Sequence, residues 1–145
     1  MDDLVITRSI DIEAERGRVW QTLTDPSLLS QWFGDGAEFE LRPGARGRLI
    51  WNEHGVFGML VVAVSEPDSV TYRWTKDSDV EVTDDNSTEV TFTLEEAPLG
   101  TRVTVMERGF EVYGDGARAQ FEGDSEGWET ELAELRELLE RQDSV

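Results

Sequence analysis

A chain of 145 residues with no cysteine and a single histidine, His54, cannot form a disulfide, a thiolate nucleophile or a multi-histidine metal site of its own. Its 32 acidic against 13 basic residues give a net charge of -19, which repels nucleic acid and anionic membranes, while five Trp, six Phe and two Tyr supply apolar bulk for one core. No apolar run nears the ~20 residues that span a bilayer, and Met1-Asp2-Asp3 is acidic where a secretory signal is basic; the expectation is an acidic, halophilic, cytoplasmic protein.

In chain order, residues 3–12 alternate as a strand whose inward positions are Leu4, Ile6, Ile10 and Ile12, which puts Arg8 on the inner face too. A helix is predicted over Glu15–Thr24, with Val19, Trp20 and Leu23 as its apolar stripe, and a second from Pro26 through Trp32, capped by Asp25 and ended by Gly34. Strands are predicted at about 37–41, 46–53, 56–65, 69–76, 87–95 and 101–108, divided by Arg42-Pro43-Gly44, His54-Gly55, Pro67-Asp68 and Leu99-Gly100. Alternation gives inward rows of Leu49 and Trp51, then Val70, Tyr72 and Trp74, then Val90, Phe92 and Leu94, and finally Val103 and Val105, which Glu107 continues. The last segment, from about Gly116, is helical, with Trp128, Leu132, Leu135 and Leu139 on one stripe. No repeat or linker divides residues 1–145, which read as one domain. Strand, two short helices, six strands and one long amphipathic helix predict an α+β fold with the helix packed on a single sheet.

Several segments then carry a family resemblance. Val19-Trp20 with Thr24-Asp25-Pro26, Gln31-Trp32-Phe33-Gly34, Leu41-Arg42-Pro43-Gly44, Thr101-Arg102-Val103-Thr104-Val105 leading to Gly109-Phe110, and Gly127-Trp128 follow one another across almost the whole chain. In this order they resemble the SRPBCC, or START-like, superfamily, and within it homologues of the activator of the heat-shock-protein-ninety ATPase. The resemblance implies a helix-grip fold: a curved antiparallel sheet of about seven strands wrapped on the C-terminal helix, with a cavity between them for lipids, hormones, polyketides or other hydrophobic molecules. The eukaryotic co-chaperones of the family resemble this chain only in their C-terminal domain.

Among candidate chemical groups, His54 stands in the Glu53-His54-Gly55 turn without an orienting acid and makes a poor general base. The acidic stretch Asp77, Asp79, Glu81, Asp84 and Asp85 lacks the glycine and the bidentate glutamate of a calcium loop, Val82 and Thr88 standing in their places. No nucleophile elbow, phosphate loop or dinucleotide fingerprint occurs, so no catalytic residue, metal or cofactor is assigned. The leading expectation is a binding protein for a hydrophobic or aromatic small molecule. Its pocket, of roughly 300 Å³ or more, is placed between Trp51, Tyr72 and Trp74 on the sheet and Gly127-Trp128 on the helix. Trp32, Phe33 and Phe110 are set at its mouth, and Glu107 and Arg8 among its few polar groups, paired with each other. Two alternatives stand beside it: a START-like cyclase, dehydratase or hydrolase using Glu107 and Arg8, and a co-chaperone-like protein-interaction module.

Overall fold

Apolar and polar side chains alternate along most of the middle of the chain, and a strand sends successive side chains to opposite faces. The computed structural model describes residues 4–142; Asp3, where the opening strand is expected to begin, and the acidic Met1-Asp2 lie outside the described residues. Strands β1 (Ile6–Ile12), β2 (Gly36–Glu38), β3 (Arg46–Trp51), β4 (Gly55–Ser65), β5 (Ser69–Thr75), β6 (Ser87–Ala97) and β7 (Gly100–Arg108) build one antiparallel sheet in the order β1-β7-β6-β5-β4-β3-β2. Helices α1 (Arg16–Thr24) and α2 (Pro26–Leu29) follow β1, and a 3-10 turn at Phe110–Gly116 leads into α3 (Ala117–Gln142). This is the helix-grip arrangement, a curved sheet closed on one long helix.

The register aligns the inward rows. Tyr72 faces Val90, Val90 faces Glu107, and Phe92 faces Val105, so one concave stripe runs across β5, β6 and β7. Against it α3 lays Leu132, Leu135 and Leu139, all buried, while α1 adds Val19, Trp20 and Leu23 and α2 adds Leu29. Full burial of each such side chain stabilises the fold by about 1.5–3 kcal/mol before chain entropy is counted. Two buried polar groups tie the helices to this core: the Tyr72 hydroxyl donates to the Leu23 carbonyl at 3.0 Å, and Trp32 Nε1 donates to the Thr22 carbonyl at 3.0 Å.

Helix α1 stops where Asp25 turns extended, and the Asp25 carboxylate accepts the Ser27 backbone N–H at 2.9 Å with Pro26 in the first turn of α2. Helix α2 is shorter than expected, ending at Leu29. Trp32 and Phe33 then continue as hydrogen-bonded turns onto the Leu29 carbonyl, and Gly34, at φ 76°, reverses the chain beneath the Trp51 ring. Strand β2 also falls short of the expected 37–41, because its pairing with β3 ends at Glu38↔Arg48 and Phe39 folds over Gly47, where a Cβ would have no room. A register shift between Val61 and Ala63 interrupts β4. Among the described residues no helix is long and apolar enough to cross a membrane.

Candidate functional site

Toward the start of α3 the packing between helix and sheet opens into a cavity of about 480 Å³. Its floor is aromatic. Phe33 stacks on Trp128 with ring centroids 5.3 Å apart and planes 2° from parallel, Trp74 stacks on Trp128 at 6.2 Å, and Trp51 meets the Phe33 edge at 5.0 Å. Leu49 and Phe57 extend this surface along β3 and β4. The helix side is lined by Gly123 and Gly127, and a Cβ built at either would meet nothing within 4 Å. These two glycines keep α3 from filling the space.

One wall is acidic. Glu107 is only 2% exposed, and both of its oxygens accept hydrogen bonds, from Thr88 Oγ1 at 2.7 Å and from Trp128 Nε1 at 2.9 Å. The arrangement follows from alternation, since Thr88 continues the inward row of β6 and Glu107 that of β7. Asp124 stands one helical turn before Trp128, accepts from Gln120 Nε2 at 2.8 Å, and is hydrogen-bonded to Glu107. Burial pushes the Glu107 carboxyl up to about 8, and the neighbouring Asp124 charge adds to the rise, while the Thr88 and Trp128 hydrogen bonds oppose it. Burial also raises Asp124, against the bonds from Gln120 and Glu107. At neutral pH the buried Glu107 carboxyl therefore keeps its proton beside Asp124. Farther along α3, burial and the charge of Glu134 push Glu131 up to about 7. Tyr113 lines the same cavity from the 3-10 turn, its hydroxyl pushed up by burial and by Asp124.

His54 and Lys76 stand at the rim, His54 exposed in the turn after β3 and Lys76 bonded to Asp77 at 2.7 Å. Among the described residues no cluster of three or more His, Asp or Glu is arranged to hold a metal ion. A pocket of this make-up can enclose an apolar ring system, donate or accept a proton at the Glu107–Asp124 pair, and discriminate ligands by charge.

Residues 13–140 match the family model described as Activator of Hsp90 ATPase homolog 1-like protein. The chain belongs to that family. No curated protein matches it. Among solved structures, protein MLL2253 from Mesorhizobium loti is 25% identical at a TM-score of 0.81, the match covering 94% of this chain and 97% of that one. The Aha1 dimer from Colwellia psychrerythraea shares the fold at 19% identity and a TM-score of 0.76, covering 93% and 95% of the two chains. DynU16, a protein in the dynemicin biosynthetic locus, shares it at 23% identity and a TM-score of 0.76, over 96% of this chain but 48% of that one.

Within this member of the family, the structure places Phe33, Trp51, Trp74, Glu107 and Trp128 on the cavity lining. Four other candidates lie elsewhere. Tyr72 is fully buried at the packed end, tied to Leu23; Trp32 is bonded to Thr22 beneath the floor; Phe110 is buried against Tyr113 and Phe121 behind the wall. Arg8 points inward as alternation requires, but β1 is the edge strand beside α3. There its guanidinium donates to Ser125 Oγ at 3.0 Å and meets Glu129 at 3.5 Å. The expected Arg8–Glu107 pair is corrected accordingly: Ile6, not Arg8, faces Glu107 across the strands, and the carboxyl is held by Thr88, Trp128 and Asp124 instead. His54 joins the rim despite its turn position. Asp124 and Gln120 are absent from the sequence reading, although they extend the stripe of Trp128 backward at i−4 and i−8.

Proposed function

We propose that this chain is a small-molecule binding protein that takes a largely apolar, ring-bearing ligand in the cavity between the sheet and the first half of α3. The observation that carries the reading is the coincidence of free volume with aromatic lining: about 480 Å³ bounded by Phe33, Trp51, Trp74 and Trp128, in the range and style of small-molecule pockets. Membership of a helix-grip family supports it, as does the likeness to DynU16 from a small-molecule biosynthetic locus.

Because three of the five tryptophans face the cavity, ligand entry reports itself in their emission. Titration with neutral polycyclic aromatics and sterols, paralleled by binding of the uncharged dye Nile red, is expected to give saturable quenching. Absence of any response, together with no dye binding, rejects the reading.

The Glu107–Asp124 pair favours a second reading, an enzyme of the cyclase, dehydratase or hydrolase kind. A buried carboxyl that holds its proton at neutral pH is suited to act as a general acid, with Asp124 beside it as the second carboxyl. In this version Asp124 replaces Arg8 as the companion of Glu107. Turnover abolished in Glu107→Gln while ligand affinity is kept would support it; unchanged turnover would reject it.

A further inference from the structure

The charges around the cavity are one-sided, and resting on the reading of that cavity as a small-molecule site, we propose that it selects an aromatic ligand carrying a protonated amine, with the ammonium seated against Glu107 and Asp124 and the ring on the tryptophans. Three carboxyl groups line the space: Glu107 from β7, and Asp124 and Glu131 from α3. The cations nearby are engaged elsewhere. Lys76 is bonded to Asp77, and Arg8 reaches Ser125 and Glu129. The remaining titratable groups that face the pair are the Tyr113 hydroxyl from the 3-10 turn and, at the rim, the exposed His54.

Such a wall treats the three ligand charge types differently. An anionic ligand, a fatty acid for example, would bring a further carboxylate into a partly dry space lined by carboxyl groups and raise the cost of ionising any of them. A neutral ligand would leave the Glu107 proton where it is. An ammonium takes over the role of that proton: it balances the charge of the Glu107 carboxylate, and the proton passes to solvent. The aromatic floor adds to the same preference, because the faces of Trp51, Trp74 and Phe33 attract a cation as well as an apolar ring. The preference for a positive group thus comes from carboxyl groups and aromatic faces lining one partly dry space.

Three indole probes separate charge from ring: tryptamine, 3-ethylindole and indole-3-propionate, each titrated calorimetrically at pH 7 into the full chain in buffers of differing ionisation enthalpy. Tryptamine is expected to bind about tenfold tighter than 3-ethylindole, indole-3-propionate more weakly than both, and tryptamine binding to release close to one proton. In the double variant Glu107→Gln, Asp124→Asn, 3-ethylindole should bind as before while the tryptamine advantage and the proton release vanish. Asp124→Asn alone, at a partly exposed helix position, tests the same loss should the double variant fail to fold. If 3-ethylindole binds and tryptamine binds no tighter, charge selection is overturned while the pocket stands. If none of the three binds but Nile red does, charge selection falls in the same way. Failure of all three probes and of the dye removes both.

Discussion

The two halves of α3 face the same sheet and are built in opposite ways. Its C-terminal half carries Leu132, Leu135 and Leu139 into the same buried cluster as Phe92, Tyr72 and the α1 side chains Val19 and Leu23, and every one of these positions is closed to water. Its N-terminal half carries Gly123, Gln120, Asp124 and Gly127 over an aromatic floor, and leaves about 480 Å³ open. One end is a packed core and the other an open cavity, although strand alternation marks both as inward. The difference lies in what the helix contributes: methyl groups at one end, missing side chains and carboxyls at the other.

The largest effect is expected at the closed end. Leu135→Ala removes a fully buried side chain from tightly packed surroundings and should cost about 2–5 kcal/mol in urea unfolding. Affinity for any pocket ligand should be unchanged in the folded fraction. Loss of affinity along with stability would show that the two ends are coupled and would blur the contrast.

Next comes the pH dependence of the open end. The Glu107 carboxyl sits at about 8 in the folded chain against an ordinary value of 4.5, so between these limits the folded state holds a proton that the unfolded chain releases. The stability contributed by this group is therefore full below 4.5 and is lost as the pH rises through about 8. At about 1.4 kcal/mol per unit between these limits, the whole loss is at most on the order of 5 kcal/mol. Glu107→Gln should flatten this slope. Its amide oxygen can accept from Trp128 and its NH2 can donate to Thr88, whose hydroxyl turns to accept, so the variant should match the parent at pH 5 and exceed it at pH 9. Urea midpoints at pH 5, 7 and 9 measure this, and a parent whose stability is flat across the range would contradict it.

A smaller effect of opposite sign is expected where the two halves meet. At Gly127 an added side chain meets open space, and a good helix former replaces a poor one. Gly127→Leu should raise stability by about 1 kcal/mol and, by filling the cavity, abolish Nile red binding. A gain in stability with binding intact would place the ligand elsewhere.

The closed end was far more legible in the sequence than the open one. Alternation placed Val103, Val105 and Glu107 on one row, and the period of α3 placed Leu132, Leu135 and Leu139 on one stripe; burial of apolar groups enforces both patterns. The partners of Glu107 depend on where α3 crosses the sheet and how it is rotated, which a one-chain pattern does not encode. Asp124 lay within reach of the same periodic argument, one turn before Trp128, but a carboxylate on an apolar stripe reads as its end rather than its continuation. Tyr113 had no periodic signal, because the 3-10 turn that holds it is broken by Gly114 at φ 58°.

Arg8 supplies the smallest effect and separates the two kinds of inwardness most sharply. Alternation assigns Arg8 and Glu107 to the same face, yet Arg8 has a side chain 38% exposed while Glu107 is sealed. Edge strands let a long side chain run its methylenes over the core and keep its charge in water. The Glu129 carboxylate it meets is 72% exposed, so this ion pair is screened and contributes about 0–1 kcal/mol. Arg8→Met should therefore shift the urea midpoint only slightly and leave the pH slope set by Glu107 in place. In a double-mutant cycle with Glu107→Gln the two changes should be additive within about 0.5 kcal/mol. A coupling of several kcal/mol would mean that the guanidinium reaches the buried carboxyl after all, that the Glu107 proton is unnecessary, and that the acidic wall carries its own counter-charge.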